Sequence, residues 1–286
     1  MKKILITGVL GQVGYELQRT LAPQGHIIGI DYQEMDLSNP SAIQKVIRDI
    51  APDIIVNPGA YTAVDKAESE QELCKAINAT APGVIAEEAK RLKAVVVHYS
   101  TDYVFDGSLT RAYTENETTN PLSVYGQAKL DGENAIRDSG CDYFIFRTSW
   151  VYGSRGKNFL LTMLKLAQDK DKLSIVQDQI GAPTWSRMIA QATAQILASG
   201  NEAYGTYNLT NAGKTSWLNF AETIFALQKQ KHPEFKVPQL TGIDTAAYPT
   251  PAARPKNSLL CHKKLNETFG LHMPSWDEAL KLCMTQ

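Results

Sequence analysis

Short β-branched segments alternate with longer segments of helical periodicity through the first half of the chain. Apolar residues recur at helical spacing in the longer segments, which cover 12–23, 40–50, 70–92 and 123–139. The short segments predict strands: KKILIT, HIIGID, DIIVN, AVVVHYS and YFIFRTS. They are apolar without strict alternation, which is typical of strands buried on both faces. This order predicts an α/β fold built on a doubly wound parallel sheet.

Composition argues against several other classes of protein. The 286 residues include 29 basic and 30 acidic residues, so the net charge is −1 and we expect no nucleic-acid partner. The longest apolar runs, such as 95–97, are far shorter than the roughly 20 residues of a membrane span, so we expect no membrane partner. The four cysteines, at 74, 141, 261 and 283, lack the spacing of a CxxC motif. We therefore expect reduced thiols in a cytoplasmic protein.

Three glycines, Gly8, Gly11 and Gly14, connect the first predicted strand to the first predicted helix with the spacing GxxGxxG. Glycines at these positions allow a tight turn, close approach of the backbone to a pyrophosphate, and close packing of the helix on the strand. Backbone N–H groups at the helix N-terminus then face the phosphates. The motif predicts a Rossmann-like dinucleotide site. The same turn supplies three further candidate cofactor contacts, Leu10, Gln12 and Val13.

An acidic residue, Asp31, follows the second predicted strand. An acid at this place accepts hydrogen bonds from the adenosine ribose of a dinucleotide. Its charge also repels a 2′-phosphate, and no Lys or Arg occurs over 32–44 to offset that repulsion. We therefore expect NADH to be preferred over NADPH.

The second half of the chain breaks the regular alternation. Helical periodicity covers 157–168, 184–199 and 216–230, and LSIVQ and GTYNLT predict strands. No Gly/Ser-rich linker separates the halves. We expect a dinucleotide-binding domain over 1–150 that also receives parts of 184–210 and 236–245. Residues 151–286 then form most of a smaller, interleaved α/β substrate-binding domain.

A tyrosine and a lysine, Tyr125 and Lys129, form a YxxxK pair at the start of the predicted helix 123–139. Residues four apart share one helix face. A cation held beside a phenol favours the phenolate and lowers the pKa of the phenol from its ordinary value of about 10. Ser100 and Thr101 end the strand AVVVHYS, and doubly wound sheets bind ligands at the carboxyl ends of their strands. The pattern predicts acid–base chemistry beside a carbonyl that the Thr101 hydroxyl polarises.

These residues together resemble the extended short-chain dehydrogenase/reductase superfamily. Longer strings resemble the dTDP-4-dehydrorhamnose reductase family in particular: VDKAES, HYSTDYVFDG, VYGQAKLDGE, FRTSWVYG, DQIGAPT, YPTPAARPKNS and MPSW. The resemblance runs from Gly8 to about Trp276. It implies transfer of hydride from NAD(P)H to the C4 ketone of dTDP-4-dehydro-L-rhamnose, which gives dTDP-L-rhamnose.

The resemblance also implies roles for individual residues. Tyr125 donates the proton to the C4 oxygen, Lys129 binds the nicotinamide ribose and tunes the tyrosine, and Thr101 hydrogen-bonds the reacting oxygen. The implied adenine contacts are Asp36 and Leu37. After the strand DIIVN, the implied contacts with the cofactor are Ala60, Tyr61 and Thr62.

Four residues are candidates for binding the sugar nucleotide. The resemblance implies that Asp102 holds a sugar hydroxyl and that Trp150 lies against the sugar ring, and we expect Asn158 to reach the nucleotide. Arg254 binds the diphosphate, because a guanidinium matches phosphate oxygens. Packing in the core is the alternative role for Trp150, and an exposed loop arginine is the alternative for Arg254. The sequence leaves the choice between thymidine and uridine nucleotides open.

Two departures from the family pattern limit which residue roles of the family can be expected in this chain. Relatives carry a run of alanines after the residue equivalent to Asn57, whereas this chain has Pro58-Gly59, and proline lacks a backbone donor. Some relatives dimerise about a metal held by glutamates. Glu16 fits one such position, but Arg187 stands where a second carboxylate is needed. We therefore expect no metal, an ion pair between these two residues, and a monomer or weak homodimer.

Other functions remain open at this point. A sugar-nucleotide epimerase or 4,6-dehydratase uses the same scaffold, although Asp102 is followed here by Tyr103 rather than by the second acid of dehydratases. A regulatory subunit of methionine adenosyltransferase also resembles this family, so the fold alone does not establish turnover. Two further features receive structural interpretations: His98 as a neutral buried histidine, and the glutamates of 68–72 as a solvated helix face.

Overall fold

The computed structural model describes residues 1–285. Its strands are β1 (Lys3–Ile6), β2 (His26–Gly29), β3 (Ile54–Asn57), β4 (Val95–Thr101), β5 (Tyr143–Thr148), β6 (Val151–Tyr152), β7 (Lys172–Val176), β8 (Ile180–Gly181), β9 (Thr184–Trp185), β10 (Gly205–Asn208), β11 (Thr215–Ser216) and β12 (Gln239–Ile243). Its α-helices are α1 (Gln12–Thr20), α2 (Pro40–Ile50), α3 (Val64–Ala67), α4 (Gln71–Lys75), α5 (Ala81–Leu92), α6 (Val124–Ser139), α7 (Phe159–Asp169), α8 (Ser186–Ser199), α9 (Trp217–Lys231), α10 (Lys263–Phe269) and α11 (Trp276–Met284).

Six parallel strands form the central sheet in the order β10-β5-β4-β3-β1-β2. The chain moves outward from β1 to β2 and then returns to the other side of β1 with β3. This reversal is the switch point at which doubly wound sheets bind ligands. The predicted Rossmann-like α/β fold is confirmed.

Helices cover both faces of this sheet because its strands are apolar on both sides. Ile4 and Ile6 pack on one face with residues of α1 and α8, whereas Leu5 packs on the other face with residues of α2, α5 and α6. Successive strand residues point to opposite faces, so one strand contributes to both cores. Full burial of each such aliphatic side chain contributes about 1.5–3 kcal/mol.

A third core lies among α7, α9, α11 and the strand pair β7–β12. Phe220, Phe225 and Leu280 are fully buried in it. The segment 184–210 contributes α8 and β10 to the sheet-bearing unit. The expectation that parts of 236–245 join that unit is wrong, because β12 pairs with β7 instead of with the six-stranded sheet.

The described residues also show whether any helix could span a membrane and whether the cysteines form disulfides. Over residues 1–285, no helix has both the length and the apolar character needed to cross a bilayer. The thiols of all four cysteines are free.

A π-helical turn, residues 76–80, joins α4 to α5 in one continuous helix. Within this turn the amide of Asn78 accepts a hydrogen bond from the backbone N–H of Tyr61 and donates one to its carbonyl oxygen, both at 2.9 Å. Helix α6 packs directly on the turn. A Cβ on Gly132 would lie 2.2 Å from the carbonyl oxygen of Asn78. The glycine therefore sets how closely α6 approaches this helix.

A buried ion pair anchors the middle of α6 to β5. The Arg147 guanidinium donates to both carboxylate oxygens of Glu133, at 2.9 and 2.7 Å, and neither side chain is more than 3% exposed. Burial is the largest single effect and would raise the pKa of Glu133. The hydrogen bonds and charge of Arg147, with Ser100 and Arg137, together outweigh it and hold that pKa below its ordinary value. Glu133 is therefore a charged group inside the protein.

Substituting Gly132→Ala is expected to destabilise the protein by about 1–3 kcal/mol, because the added methyl group forces α6 away from the π turn. Urea unfolding measures the change. Asp138→Ala, on the exposed side of the same helix, is the control and should change stability by less than about 0.5 kcal/mol. Equal stability of Gly132→Ala and the wild type would contradict the close packing.

Candidate active site

A cleft of about 480 Å³ lies at the carboxyl end of the central sheet. It is lined by residues that follow β1, β2 and β3, by the ends of β4 and β5, and by the first turns of α6. From the sheet these are Thr7, Gly8, Ile30, Asp31, Pro58, Gly59, Ala60, Tyr99, Ser100 and Thr148. The position agrees with the switch point of the strand order.

The glycine turn forms one side of the cleft. Gly8 has a φ of +54°, a conformation that glycine adopts without strain. A Cβ on Gly14 would lie 2.2 Å from the carbonyl oxygen of Gly8, so helix and turn pack without side chains between them. Gly11 caps α1 and offers no side-chain acceptor, which leaves backbone N–H groups of the first helical turn free to bind an anion.

The Pro58-Gly59 departure has a packing explanation. A Cβ on Gly8 would lie 2.8 Å from the Cα of Gly59, and a Cβ on Gly59 would lie 2.9 Å from Thr7 Oγ1. The N–H of Gly59 also donates to Thr7 Oγ1 at 3.2 Å. The turns after β1 and β3 therefore touch through backbone, and an alanine in place of Gly59 would force the side chains of Leu37 and Thr7 to move.

The carboxylate of Asp31 lies beside the glycine turn. It accepts hydrogen bonds from the backbone N–H groups of Leu10 and Tyr32, both at 2.9 Å. The free N–H groups at the start of α1 form an anion site in the cleft. The Asp31 carboxylate, beside the glycine turn, provides an acidic hydrogen-bond acceptor. A pyrophosphate and an adenosine ribose fit this donor set.

Tyr125 stands in the first turn of α6 and lines the same cleft. Ser123 caps this helix through a hydrogen bond from the N–H of Gly126, and Glu68 accepts one from the N–H of Val124 at 2.9 Å. Because Glu68 has this structural contact, the interpretation of 68–72 as only a solvated face is wrong for that residue. A Cβ on Gly126 would lie 2.4 Å from the carbonyl oxygen of Tyr103, so the turn packs against the residues after β4.

The expectation that Lys129 brings the pKa of Tyr125 below its ordinary value is not met in this structure. Burial raises the pKa of the Tyr125 phenol, and interaction with Thr101 offsets only part of that effect. Lys129 Nζ instead donates to the carbonyl oxygen of Tyr99 at 2.6 Å and lies 3.1 Å from His98 Nε2. Tyr125 is therefore a protonated phenol at neutral pH.

Thr101 and Asp102 form a buried pair at the end of β4. Thr101 Oγ1 donates to Asp102 Oδ1 at 3.0 Å and accepts from the N–H of Tyr103 at 3.2 Å. Asp102 Oδ2 is buried without a hydrogen-bond partner. Burial raises the pKa of Asp102 to about 7. Interaction with Ser258 offsets part of the effect of burial, and Asp102 is not among the residues that line the cleft.

Most of the predicted cofactor residues line the cleft. They are Gly8, Leu10, Gly11, Gln12, Val13, Gly14, Asp31, Asp36, Leu37, Ala60, Thr62, Tyr125 and Lys129. Tyr61 is not among the lining residues, since its hydroxyl donates to Glu70 at 2.5 Å and its backbone is held by Asn78.

The predicted substrate residues lie outside the lining of the cleft. Trp150 stacks on Trp217 with ring centroids 3.5 Å apart, and Asn158 caps α7 and donates to Gln12 Oε1 at 2.8 Å. Arg254 pairs with Asp65 at 2.9 Å. The substrate roles of these residues stay predictions.

The predicted ion pair between Glu16 and Arg187 is confirmed, with Oε2 and Nε 3.1 Å apart. Over residues 1–285, no cluster of three or more His, Cys, Asp or Glu residues has the arrangement of a metal site.

Sequence reasoning missed several residues that line the cleft. Lys157 and Gly156 belong to the loop after β6, and Thr148 ends β5. The string GSRGKN contains two glycines, which is typical of a loop, but nothing in it shows that the loop lies beside Gln12. Tyr32 and Met35 also line the cleft and lacked a recognisable motif.

Comparison with known proteins supports the fold. The family model described as RmlD substrate binding domain matches residues 1–286. A dTDP-4-dehydrorhamnose reductase of Burkholderia thailandensis is 45% identical over 291 residues, covering 99% of this chain and 98% of the relative. One from Salmonella typhimurium is 43% identical, with 99% and 97% covered.

A solved structure is similarly close. The crystal structure of a dTDP-4-dehydrorhamnose reductase from Bacillus anthracis in complex with NADP has a TM-score of 0.93 and 36% identity, with 99% of each chain covered. The chain therefore belongs to the dTDP-4-dehydrorhamnose reductase family.

Proposed function

We propose that the protein reduces the C4 ketone of dTDP-4-dehydro-L-rhamnose to dTDP-L-rhamnose with NADH. The observation that carries this proposal is the position of Tyr125. Its phenol and the glycine turn line one cleft, together with Lys129. A proton donor and a dinucleotide site must share a cleft for a carbonyl to be reduced between them.

The nicotinamide dinucleotide fits along the glycine turn, where the N–H groups of α1 would hold its pyrophosphate and Asp31 its adenosine ribose. When bound, it supplies the hydride that C4 of the sugar gains. Tyr125 donates its phenolic proton to the C4 oxygen, which completes the alcohol. Because burial raises the pKa of this phenol, Tyr125 carries the proton throughout the neutral range.

Two other residues prepare the carbonyl for this step. The Thr101 hydroxyl, at the end of β4, donates its single proton to Asp102 in this structure. On substrate binding it turns that proton to the reacting oxygen and polarises the carbonyl. Lys129 lies one helical turn beyond Tyr125 and is fully enclosed. Burial lowers the pKa of Lys129 to about 8, so it is mainly a cation at neutral pH. Its charge stabilises the negative charge that develops as the phenol loses its proton.

The sequence after Thr101 argues against dehydration. Elimination of water needs a second acid after Asp102, and Tyr103 occupies that position. Tyr103 packs edge-on against Tyr125, with ring centroids 5.9 Å apart. Burial raises the pKa of Tyr103, so it does not replace a carboxylate as a base.

The protein is further proposed to act in the cytoplasm as a monomer or weak homodimer. The free thiols support a reducing compartment. The ion pair of Glu16 with Arg187 supports the oligomeric proposal, because the glutamate is bound within its own chain.

The direct assay is incubation with enzymatically prepared dTDP-4-dehydrorhamnose and NADH. We expect stoichiometric loss of NADH absorbance and formation of dTDP-rhamnose. An epimerase would return its dinucleotide unchanged, and a non-catalytic subunit would give no turnover. NADH oxidation no faster than background would therefore refute the reductase assignment.

Substituting Tyr125→Phe is expected to lower kcat by about 10²–10⁴, because the proton donor is lost. The affinity for NADH should change little, since a phenyl ring keeps the packing of α6. Fluorescence titration of NADH is the control. A near-normal kcat would assign the proton donation to another group.

Wild-type protein is expected to use NADH with higher kcat/KM than NADPH. Substituting Asp31→Asn should raise the NADPH/NADH ratio of kcat/KM by about tenfold, since removal of one negative charge near a phosphate is worth roughly 1–2 kcal/mol. Asp36→Asn, which changes another acid of the cleft, is the matched control. Equal efficiency of the wild type with both dinucleotides would contradict the proposed preference.

A further inference from the structure

The loop between β6 and α7, residues 153–158, lies against the first turn of α1. Asn158 Nδ2 donates a hydrogen bond to the side-chain oxygen of Gln12 at 2.8 Å. Gly156 has a φ of +78°, and a Cβ at this glycine would lie only 3.1 Å from Gln12 Cγ. The residue between these two, Lys157, is therefore held beside the start of α1.

Three further contacts fix the shape and place of this loop. Asn158 Nδ2 also donates to the backbone carbonyl oxygens of Gly153 and Arg155, at 3.0 and 3.1 Å. The Arg155 guanidinium lies over the ring of Tyr15 in α1, 3.5 Å from its centroid, and a cation is attracted to the face of an aromatic ring. The loop is tied to itself and to α1 by neighbours of Lys157, so its position does not depend on the lysine side chain.

The cleft is lined by only four charged side chains within the described part of the chain. Two are acids, Asp31 and Asp36, and two are lysines, Lys129 and Lys157. Lys129 is buried, and its ammonium is bound by the carbonyl oxygen of Tyr99. Lys157 is exposed and takes part in none of the ion pairs among the described residues. It is the cation of the cleft that a ligand can reach.

A pyrophosphate at the glycine turn needs such a cation. Each of its two phosphates carries a negative charge, whereas the N-terminus of a helix supplies the equivalent of only about half a positive charge. The carboxylates of Asp31 and Asp36 add negative charge to the same cleft. A lysine ammonium, which carries three donors on a flexible four-carbon stem, can follow phosphate oxygens from a loop beside the helix.

We propose that Lys157 binds the pyrophosphate of the dinucleotide, and that the loop 153–158 holds this lysine over the first turn of α1. This proposal rests on the proposed function for the identity of the ligand. NADH and NADPH have the pyrophosphate in common, so Lys157 strengthens the binding of both. The choice between the two dinucleotides is left to Asp31.

The first test measures the binding of NADH without turnover, by fluorescence titration. Substituting Lys157→Gln should raise the Kd for NADH about fivefold, because a single pair of charges about 4 Å apart in water is worth roughly 1 kcal/mol. Lys165→Gln is the matched control and should have the wild-type Kd, since it removes an exposed lysine of α7 that does not line the cleft. Equal Kd values of Lys157→Gln and the wild type would overturn the proposal.

The second test separates the charge of Lys157 from packing of the loop. Salt screens exposed charge pairs, so the wild-type Kd for NADH should rise more steeply between about 0.05 and 0.5 M NaCl than the Kd of Lys157→Gln. Lys157→Arg keeps the charge and should retain both the low Kd and the steep salt dependence. Parallel salt dependence of the wild type and Lys157→Gln would show that the lysine acts only through packing, against the proposal.

Titration with NADPH identifies the phosphate that Lys157 contacts. The fold-loss of affinity in Lys157→Gln should be the same for NADH and NADPH, because their pyrophosphates are identical. A larger loss for NADPH would place the lysine at the 2′-phosphate and overturn the proposal. Since these titrations require no sugar, absence of NADH oxidation in the direct assay would refute the reductase assignment alone. A wild-type protein that binds neither dinucleotide would refute both.

Discussion

The cleft depends on backbone segments that approach each other more closely than any side chain would allow. Gly8 and Gly59 touch across β1 and β3, and Gly14 touches Gly8 within the turn. A parallel sheet brings the carboxyl ends of its strands to one edge, but side chains at these positions would fill the edge. The glycines keep it open and leave helix N–H groups pointing into it.

Two buried side chains of opposite charge hold helix α6 in place on the sheet. Lys129 is directed to β4 and Glu133 to β5, four residues apart on one helix face. Burying a charge is costly unless it is paired and hydrogen-bonded. Each of these charges has its partner on a different strand, so the helix has one position along the sheet in which both are satisfied. That position places Tyr125 in the cleft.

Much of this arrangement could be predicted from local patterns. The glycine turn, Asp31 and the YxxxK pair each depend on a few consecutive residues in a recognisable context. The contact of Lys129 with His98 could not be predicted, because it joins residues 31 apart through the register of β4 against α6. The contact of Glu68 with the N–H of Val124 at the start of α6 was missed for the same reason, since these two residues are 56 positions apart in the sequence. Periodicity shows which face of an element is buried, but it does not identify the neighbour.

The π turn at 76–80 determines which side of α4 faces the interior. A π turn accommodates one residue more than the surrounding α-helix, and each helical residue advances the chain by about 100° around the axis. Deletion of a single residue here would restore a regular helix and swing α4 around, taking Cys74 out of the interior. The loop after β3 would also lose the hydrogen bonds by which Asn78 holds the backbone of Tyr61.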